Sequence, residues 1–106
     1  MANNYKNAKL DLTTTSVTTL YTCPVAKTSI FKSILVSEDS GNADTITVTV
    51  TSGSSVFSLF KVKAVGANTT VELLTAPLVV QESEILKVTA ATASRLHVVA
   101  SFLEIG

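Results

Sequence analysis

Several residue types are scarce in this chain of 106 residues, and each scarcity excludes a class of protein. The single cysteine, Cys23, cannot form a disulfide within the chain, which argues against a small secreted fold held by bridges. No stretch approaches the roughly 20 apolar residues of a membrane-spanning helix. The polar first residues, 1–7, lack the apolar segment of a signal peptide. We therefore expect a domain made in a reducing cytoplasm and stabilised by packing or by subunit contacts.

Charged residues are also scarce. They make up 15% of the chain, and the formal net charge is zero; globular proteins carry about 25% charged residues. The lysines and the arginine are scattered along the chain, so no basic stripe can neutralise the phosphates of a nucleic acid. The sequence predicts neither a nucleic acid nor a membrane as a partner, and a nearly neutral surface favours contacts with other proteins.

Aromatic and catalytic residues are few as well. Aromatic residues amount to 6% and tryptophan is absent, which is too little for a platform that stacks sugars or bases. A catalytic pair would need a nucleophile within about 3 Å of the only histidine, His97. Ser101, on the same face of the strand, lies roughly 13 Å away. Cys23 has no second soft ligand beside it, so we predict a buried, inert thiol. We expect no enzymatic activity, no cofactor and no metal ion.

One metal hypothesis stays open at the acidic turn 38–44. Glu38, Asp39, Asn42 and Asp44 are closely spaced oxygen ligands on a predicted loop, and such ligands can hold calcium. The spacing is not that of an EF-hand, and the same residues are typical of an ordinary turn.

The chain is rich in alternating apolar and hydroxyl side chains. The alternation is unbroken from Thr45 to Thr51, and it has the period of a strand with one buried and one solvated face. Similar short segments recur at roughly 8–12-residue spacing, and no window has the period of a helix. The sequence predicts an all-β fold: a single small antiparallel β-sandwich, jelly-roll-like, with about eight strands over residues 8–106. Residues 1–7 are predicted to form a flexible N-terminal arm.

Finer predictions concern register and connections. In strand 45–51, Val48 is expected to face inward. In strand 29–37, Phe31 and Leu35 are expected to share one face, opposite Ile34. The turn 38–44 is expected to join these two strands as a hairpin. In the last strand the apolar phase shifts after Phe102 to Leu103 and Ile105, which predicts a β-bulge or a change of neighbouring strand there.

Parts of this pattern resemble a known family. Leu20-Tyr21-Thr22-Cys23-Pro24, the long apolar strand 27–37 and the Gly/Asn/Asp turn 40–44 are similar to the opening of small β-sandwich virion proteins of tailed bacteriophages. The later segments 78–80 and 84–90 and the closing Phe102-Leu103-Glu104-Ile105 also resemble that family. The resemblance covers most of the chain from about Tyr5 onward.

The resemblance implies a virion structural protein, made in the host cytoplasm. The preferred interpretation is a capsid decoration or cement protein that contacts the major capsid protein. A neck or tail accessory protein stays open, and so does a binding module for carbohydrate or a host surface.

Apolar residues on both faces of the last strand leave surface that one sandwich cannot cover, and closed symmetric assemblies are a common way to cover it. We therefore predict a homo-oligomer, with a trimer first, whose contacts come from the N-terminal arm and the C-terminal end. The predicted contact residues are Tyr5, Leu103 and Ile105.

Overall fold

The computed structural model of the protein describes residues 3–106. Those residues form no helix, and therefore no helix that is long and apolar enough to cross a membrane. They form nine strands: β1 (Asn3–Asp11), β2 (Thr18–Thr22), β3 (Thr28–Glu38), β4 (Asp44–Ser52), β5 (Ser55–Val65), β6 (Thr70–Glu72), β7 (Leu78–Val80), β8 (Ile85–Ala90) and β9 (Leu96–Ile105). The predicted all-β class is confirmed.

The strands form two antiparallel sheets that pack face to face. Sheet A has the order β1-β9-β3, with β6 and β7 both paired to the far side of β3, and sheet B has the order β2-β8-β4-β5. The pairs nest: β1 with β9, β2 with β8, β3 with β6 and β7, and β4 with β5. Such nesting is that of one long hairpin rolled into two sheets, which is the jelly roll. Because β6 and β7 share one position, the nine strands occupy eight places, as predicted.

The core lies between the two sheets and follows the period of two. Ile46, Val48 and Val50 of β4 are buried while the threonines between them face outward, so the predicted inward face of this strand is confirmed. Three aromatic rings pack at one end of the core. The Phe31 and Phe102 rings stack with centroids 4.6 Å apart, and the Tyr21 ring lies 4.6 Å from that of Phe102. Burial of the apolar side chains between the two sheets is the main source of stability.

The predicted hairpin between β3 and β4 is wrong. β3 belongs to sheet A and β4 to sheet B, so the turn crosses from one sheet to the other. The reason is that β3 already has partners on both sides, β9 on one and β6 with β7 on the other, which leaves no free edge for β4. The turn between Ser52 and Ser55, by contrast, joins the directly paired strands β4 and β5.

The predicted faces of β3 and the predicted bulge in β9 are also wrong. The register of β3 against β9 shifts between Phe31 and Ser33, so Lys32 is an extra residue. The bulge places Phe31 on the same buried face as Ile34, whereas Leu35 points outward. No phase change occurs in β9, because its inward position after Phe102 is taken by the carboxylate Glu104.

The N-terminal segment is a strand over the part that the structure describes. Residues 3–7, predicted as a flexible arm, begin β1 and pair residue by residue with β9. Their backbone groups find partners along β9, which is how a polar sequence joins the sheet here. Met1 and Ala2, the rest of the predicted arm, lie outside the described residues.

A candidate docking face

The three predicted contact residues lie together on the outer face of sheet A. Tyr5 is directly opposite Leu103 in the β1–β9 register, and Ile105 follows two residues along β9 on the same face. Tyr5 is 79% exposed, while Leu103 and Ile105 are half-buried. Tertiary pairing of the first strand with the last therefore brings the two ends of the chain into one surface.

The apolar row continues across the whole sheet. Leu103 lies opposite Ile30 of β3, and Ile30 lies opposite Val79 of β7, which is 50% exposed. A second, shorter row pairs Val99 with Leu35, both of which are partly exposed. We call this surface the docking face and define it by Tyr5, Ile30, Leu35, Val79, Val99, Leu103 and Ile105. Sequence reasoning missed Ile30 and Val79 as contact residues, because only the strand order shows that they continue the row.

Hydroxyl and amide groups separate the two apolar rows. Asn7, Ser101 and Ser33 form the rung between them, and a shallow depression of about 310 Å³ opens there beside the bulge at Lys32. Next to it, Glu72 accepts hydrogen bonds from the Ser33 hydroxyl and, at 2.8 Å, from the Ile34 amide. Burial raises the pKa of Glu72, but these bonds outweigh it and hold the pKa below its ordinary value. The carboxylate is thus already satisfied within the sheet.

A buried polar cluster anchors β1 beneath the docking face. Glu104 is 3% exposed and accepts hydrogen bonds from Lys6 Nζ at 2.9 Å and from the Tyr21 hydroxyl at 2.8 Å. The Tyr21 oxygen also lies 2.5 Å from Ser29 Oγ. The bonds from Lys6 and then Tyr21 hold the pKa of Glu104 below its ordinary range, and burial raises the pKa of Tyr21. The cluster ties β1, β2, β3 and β9 together and positions Tyr5, the neighbour of Lys6.

Two carboxylates of the acidic turn, those of Glu38 and Asp44, accept hydrogen bonds from within the protein. Glu38 is 2% exposed and accepts hydrogen bonds from the hydroxyl and amide of Ser40 and from the amides of Gly41 and Asn68. Asp44 accepts one from the Thr92 amide at 3.0 Å, on the other side of the loop. Residues 3–106 contain no group of three or more acidic, histidine or cysteine side chains placed to hold a metal ion. The turn therefore closes the end of the sandwich, with Glu38 as its cap.

Acid is expected to destabilise the protein through Glu38. Hydrogen bonds from Ser40, and then from backbone amides against the cost of burial, lower the pKa of Glu38 from 4.5 to about 2. Because the folded state binds protons less readily than the unfolded one, stability is fully present above about pH 4.5 and is lost as the pH falls towards 2. Urea unfolding midpoints measured across this interval test the expectation.

The matched control for this prediction is Glu38→Gln, which keeps the side-chain shape but cannot titrate. We expect the variant to be less stable at neutral pH and to lose less stability between about pH 4.5 and 2. An acid dependence as steep as that of the unsubstituted protein would contradict the assignment to Glu38.

The other candidate groups are separated from one another. A second depression, of about 450 Å³, lies among the end loops, and its carboxylates Glu82 and Glu84 accept hydrogen bonds from the backbone amides of Ala26 and Gln81 at 2.7 Å. Cys23 is buried, as predicted, and its thiol lies 3.3 Å from the Lys27 carbonyl.

His97 lies at the margin of the docking face. Its Nε2 is 3.2 Å from Asp11 Oδ1, and its Nδ1 is 3.8 Å from Asp39 Oδ1. These contacts link β9 to β1 and to the acidic turn.

The docking face is the candidate functional site that the geometry favours. Comparison of the chain with protein-family models, with curated proteins and with solved structures finds no match.

Proposed function

We propose that the protein is a structural component of a tailed-phage virion, made in the host cytoplasm, and that it decorates the capsid by binding the major capsid protein through its docking face. The observation that carries the proposal is the apolar row Tyr5-Leu103-Ile30-Val79, which crosses four strands of one sheet with both of its ends exposed. Contiguous exposed apolar side chains mark protein contact sites. The resemblance of the sequence to phage virion proteins supplies the class of partner.

The chemistry of the face supports a protein partner. Its hydroxyl and amide rung offers hydrogen bonds between the apolar rows. The Glu72 carboxylate already accepts hydrogen bonds within the sheet, so docking would not leave it without partners. The surface is broad and shallow, whereas small ligands such as sugars are bound in concave sites with converging polar groups. A capsid protein is therefore favoured over a carbohydrate as the ligand.

Substitutions on the docking face are expected to weaken binding to capsids. Tyr5→Asp and Leu103→Asp each place a carboxylate in the apolar row, and we expect each to weaken binding about tenfold or more, because that charge would be desolvated without a partner. The measurement is co-sedimentation of the purified protein with phage capsids that lack it. The protein itself is expected in purified particles by mass spectrometry.

The matched control is Thr19→Asp on the outer face of sheet B, where the new carboxylate lies opposite Lys87. It should bind capsids as the unsubstituted protein does, and circular dichroism should show all three variants folded. Binding to purified necks or tails instead of capsids would select the accessory role. Absence of the protein from particles, together with capsid binding that is insensitive to Tyr5 and Leu103, would overturn the proposal.

A further inference from the structure

Four strand edges are open to solvent in the two sheets, and within residues 3–106 three of them are protected against the addition of another strand. β5 carries two lysines and two register shifts against β4, and its Val62 has a φ of 53°. β2 is only 5 residues long and its register shifts at Leu20. The fourth position of sheet A is broken between β6 and β7 by a segment that contains Pro77. Lysines, bulges, short strands and prolines are the devices that block edges.

β1 also carries two lysines, Lys6 and Lys9, but it is long and has no register shift and no proline. Its 9 residues pair with β9 in one uninterrupted register, from Asn3 opposite Ile105 to Asp11 opposite His97. Such a long, regular edge presents a row of backbone donors and acceptors that another strand can bind. Among the four edges it is the one suited to strand addition.

Lys6 does not block this edge. A lysine that points inward from an edge strand prevents pairing when docking would bury its charge without a partner. Here the Lys6 ammonium already binds the buried carboxylate of Glu104 at 2.9 Å. The charge therefore stays compensated when a second strand covers β1.

We propose that β1 pairs with β1 of a second copy of this chain, antiparallel and about a two-fold axis at Asn7. The two-fold axis would run perpendicular to the sheet. Because residues directly opposite each other in an antiparallel pair point to the same face of the sheet, this axis has to pass beside one residue that lies opposite its own copy. Centres at Lys6 or Lys9 would set two lysines directly opposite each other, which is destabilising. The centre at Asn7 sets Tyr5 opposite the second copy's Lys9 and Asn3 opposite its Asp11, and it uses the whole strand.

We assign the added strand to a second copy of this chain because the side chains of β1 are complementary to one another in this register. An exposed aromatic ring faces a lysine, which is a favourable cation–π arrangement, and an amide faces a carboxylate. A ring of three would require a second, different edge to receive β1, and the other edges are protected. We therefore propose a closed dimer in place of the trimer expected from the sequence.

The dimer would join the docking faces of the two copies into one larger surface. Sheet A would run continuously through both copies, and the two apolar rows would lie on one side of the joined sheet. Two linked faces raise the strength of attachment to a repeating surface through effective concentration. The dimer itself does not depend on the proposed function, since it follows from the edges alone.

Cysteine crosslinking tests the register directly. Residues directly opposite in an antiparallel pair have Cα atoms about 4.5–5.5 Å apart, within the range of about 4.4–6.8 Å that a disulfide spans. We expect Asn7→Cys to form a disulfide-linked dimer under mild oxidation. Tyr5→Cys alone should not, because the two thiols would lie roughly 13 Å apart, but a mixture of Tyr5→Cys with Lys9→Cys should give the mixed dimer. The unsubstituted protein, whose thiol is the buried Cys23, gives the background.

Sedimentation equilibrium supplies the second measurement. Asn7→Lys sets two lysines opposite each other on the axis, and we expect its dimer dissociation constant to rise about tenfold or more. Asn42→Lys adds the same charge in the exposed acidic turn and should leave the dimer intact. A monomer at about millimolar concentration, or equal crosslinking of Asn7→Cys and Tyr5→Cys, would overturn the proposal whatever the outcome of the capsid experiments.

Discussion

Val48→Asp is expected to unfold the protein. The Val48 side chain is 0% exposed at the centre of β4, between Ile46 and Val50 on the inner face of sheet B. A carboxylate there would be buried without a hydrogen-bond partner, at a cost on the order of 5 kcal/mol. The whole free energy of unfolding of a domain is about 5–15 kcal/mol, so little or none would remain. Circular dichroism and urea unfolding give the measurement.

Thr47→Asp is the control one residue away. Thr47 points outward and its hydroxyl accepts a hydrogen bond from the Val62 amide, a role that a carboxylate oxygen can keep. We expect a cost below about 1 kcal/mol, as is usual for surface substitutions. Equal loss of stability in the two variants would mean that the register of β4 is not the one described.

Phe31→Ala is expected to cost about 3–5 kcal/mol, the usual range for a fully buried phenylalanine. The ring is 0% exposed and packs on both Phe102 and Tyr21, so its removal leaves a cavity at the end of the core where β2, β3 and β9 meet. The free energy of unfolding by urea measures the loss.

Leu35→Ala is the matched control in the same strand. Leu35 is 38% exposed on the outer face, so its truncation should cost less than about 1 kcal/mol. The comparison tests the bulge at Lys32 directly, because a bulge-free β3 would place Phe31 and Leu35 on the same face and predict similar costs. A loss for Leu35→Ala as large as that for Phe31→Ala would contradict the bulge at Lys32.

The docking face and the open edge of β1 are neighbouring parts of one sheet. Tyr5 belongs to both, since its ring lies in the apolar row and faces the second copy's Lys9 in the proposed dimer. Leu103→Asp separates the two roles, because it changes the face away from the edge and should leave the dimer intact, whereas Asn7→Lys changes the edge together with the polar rung of the face. A protein that loses capsid binding but remains a dimer, or the reverse, shows which surface each contact uses.

Much of the strand pattern could be read from local periodicity, but the positions of irregularities could not. The alternation of β4 predicted its buried face correctly because each side chain of a regular strand is oriented by its neighbours in sequence. The faces of β3 were predicted wrongly because the bulge at Lys32 exists only in relation to β9, its partner. Glu104 was missed as a buried group, since its partners Lys6 and Tyr21 lie far away in the sequence.

The sequence by itself determined that this chain forms strands, that most of them have one apolar face, and that one domain of jelly-roll type can contain them. These properties follow from residue type and spacing, which act locally. Only the tertiary structure decided that β3 and β4 lie in different sheets, that Tyr5 and Leu103 share a surface with Ile30 and Val79, and that β1 has an open edge. Those outcomes depend on which distant strands pair, and pairing is decided by how all the buried faces close on one core.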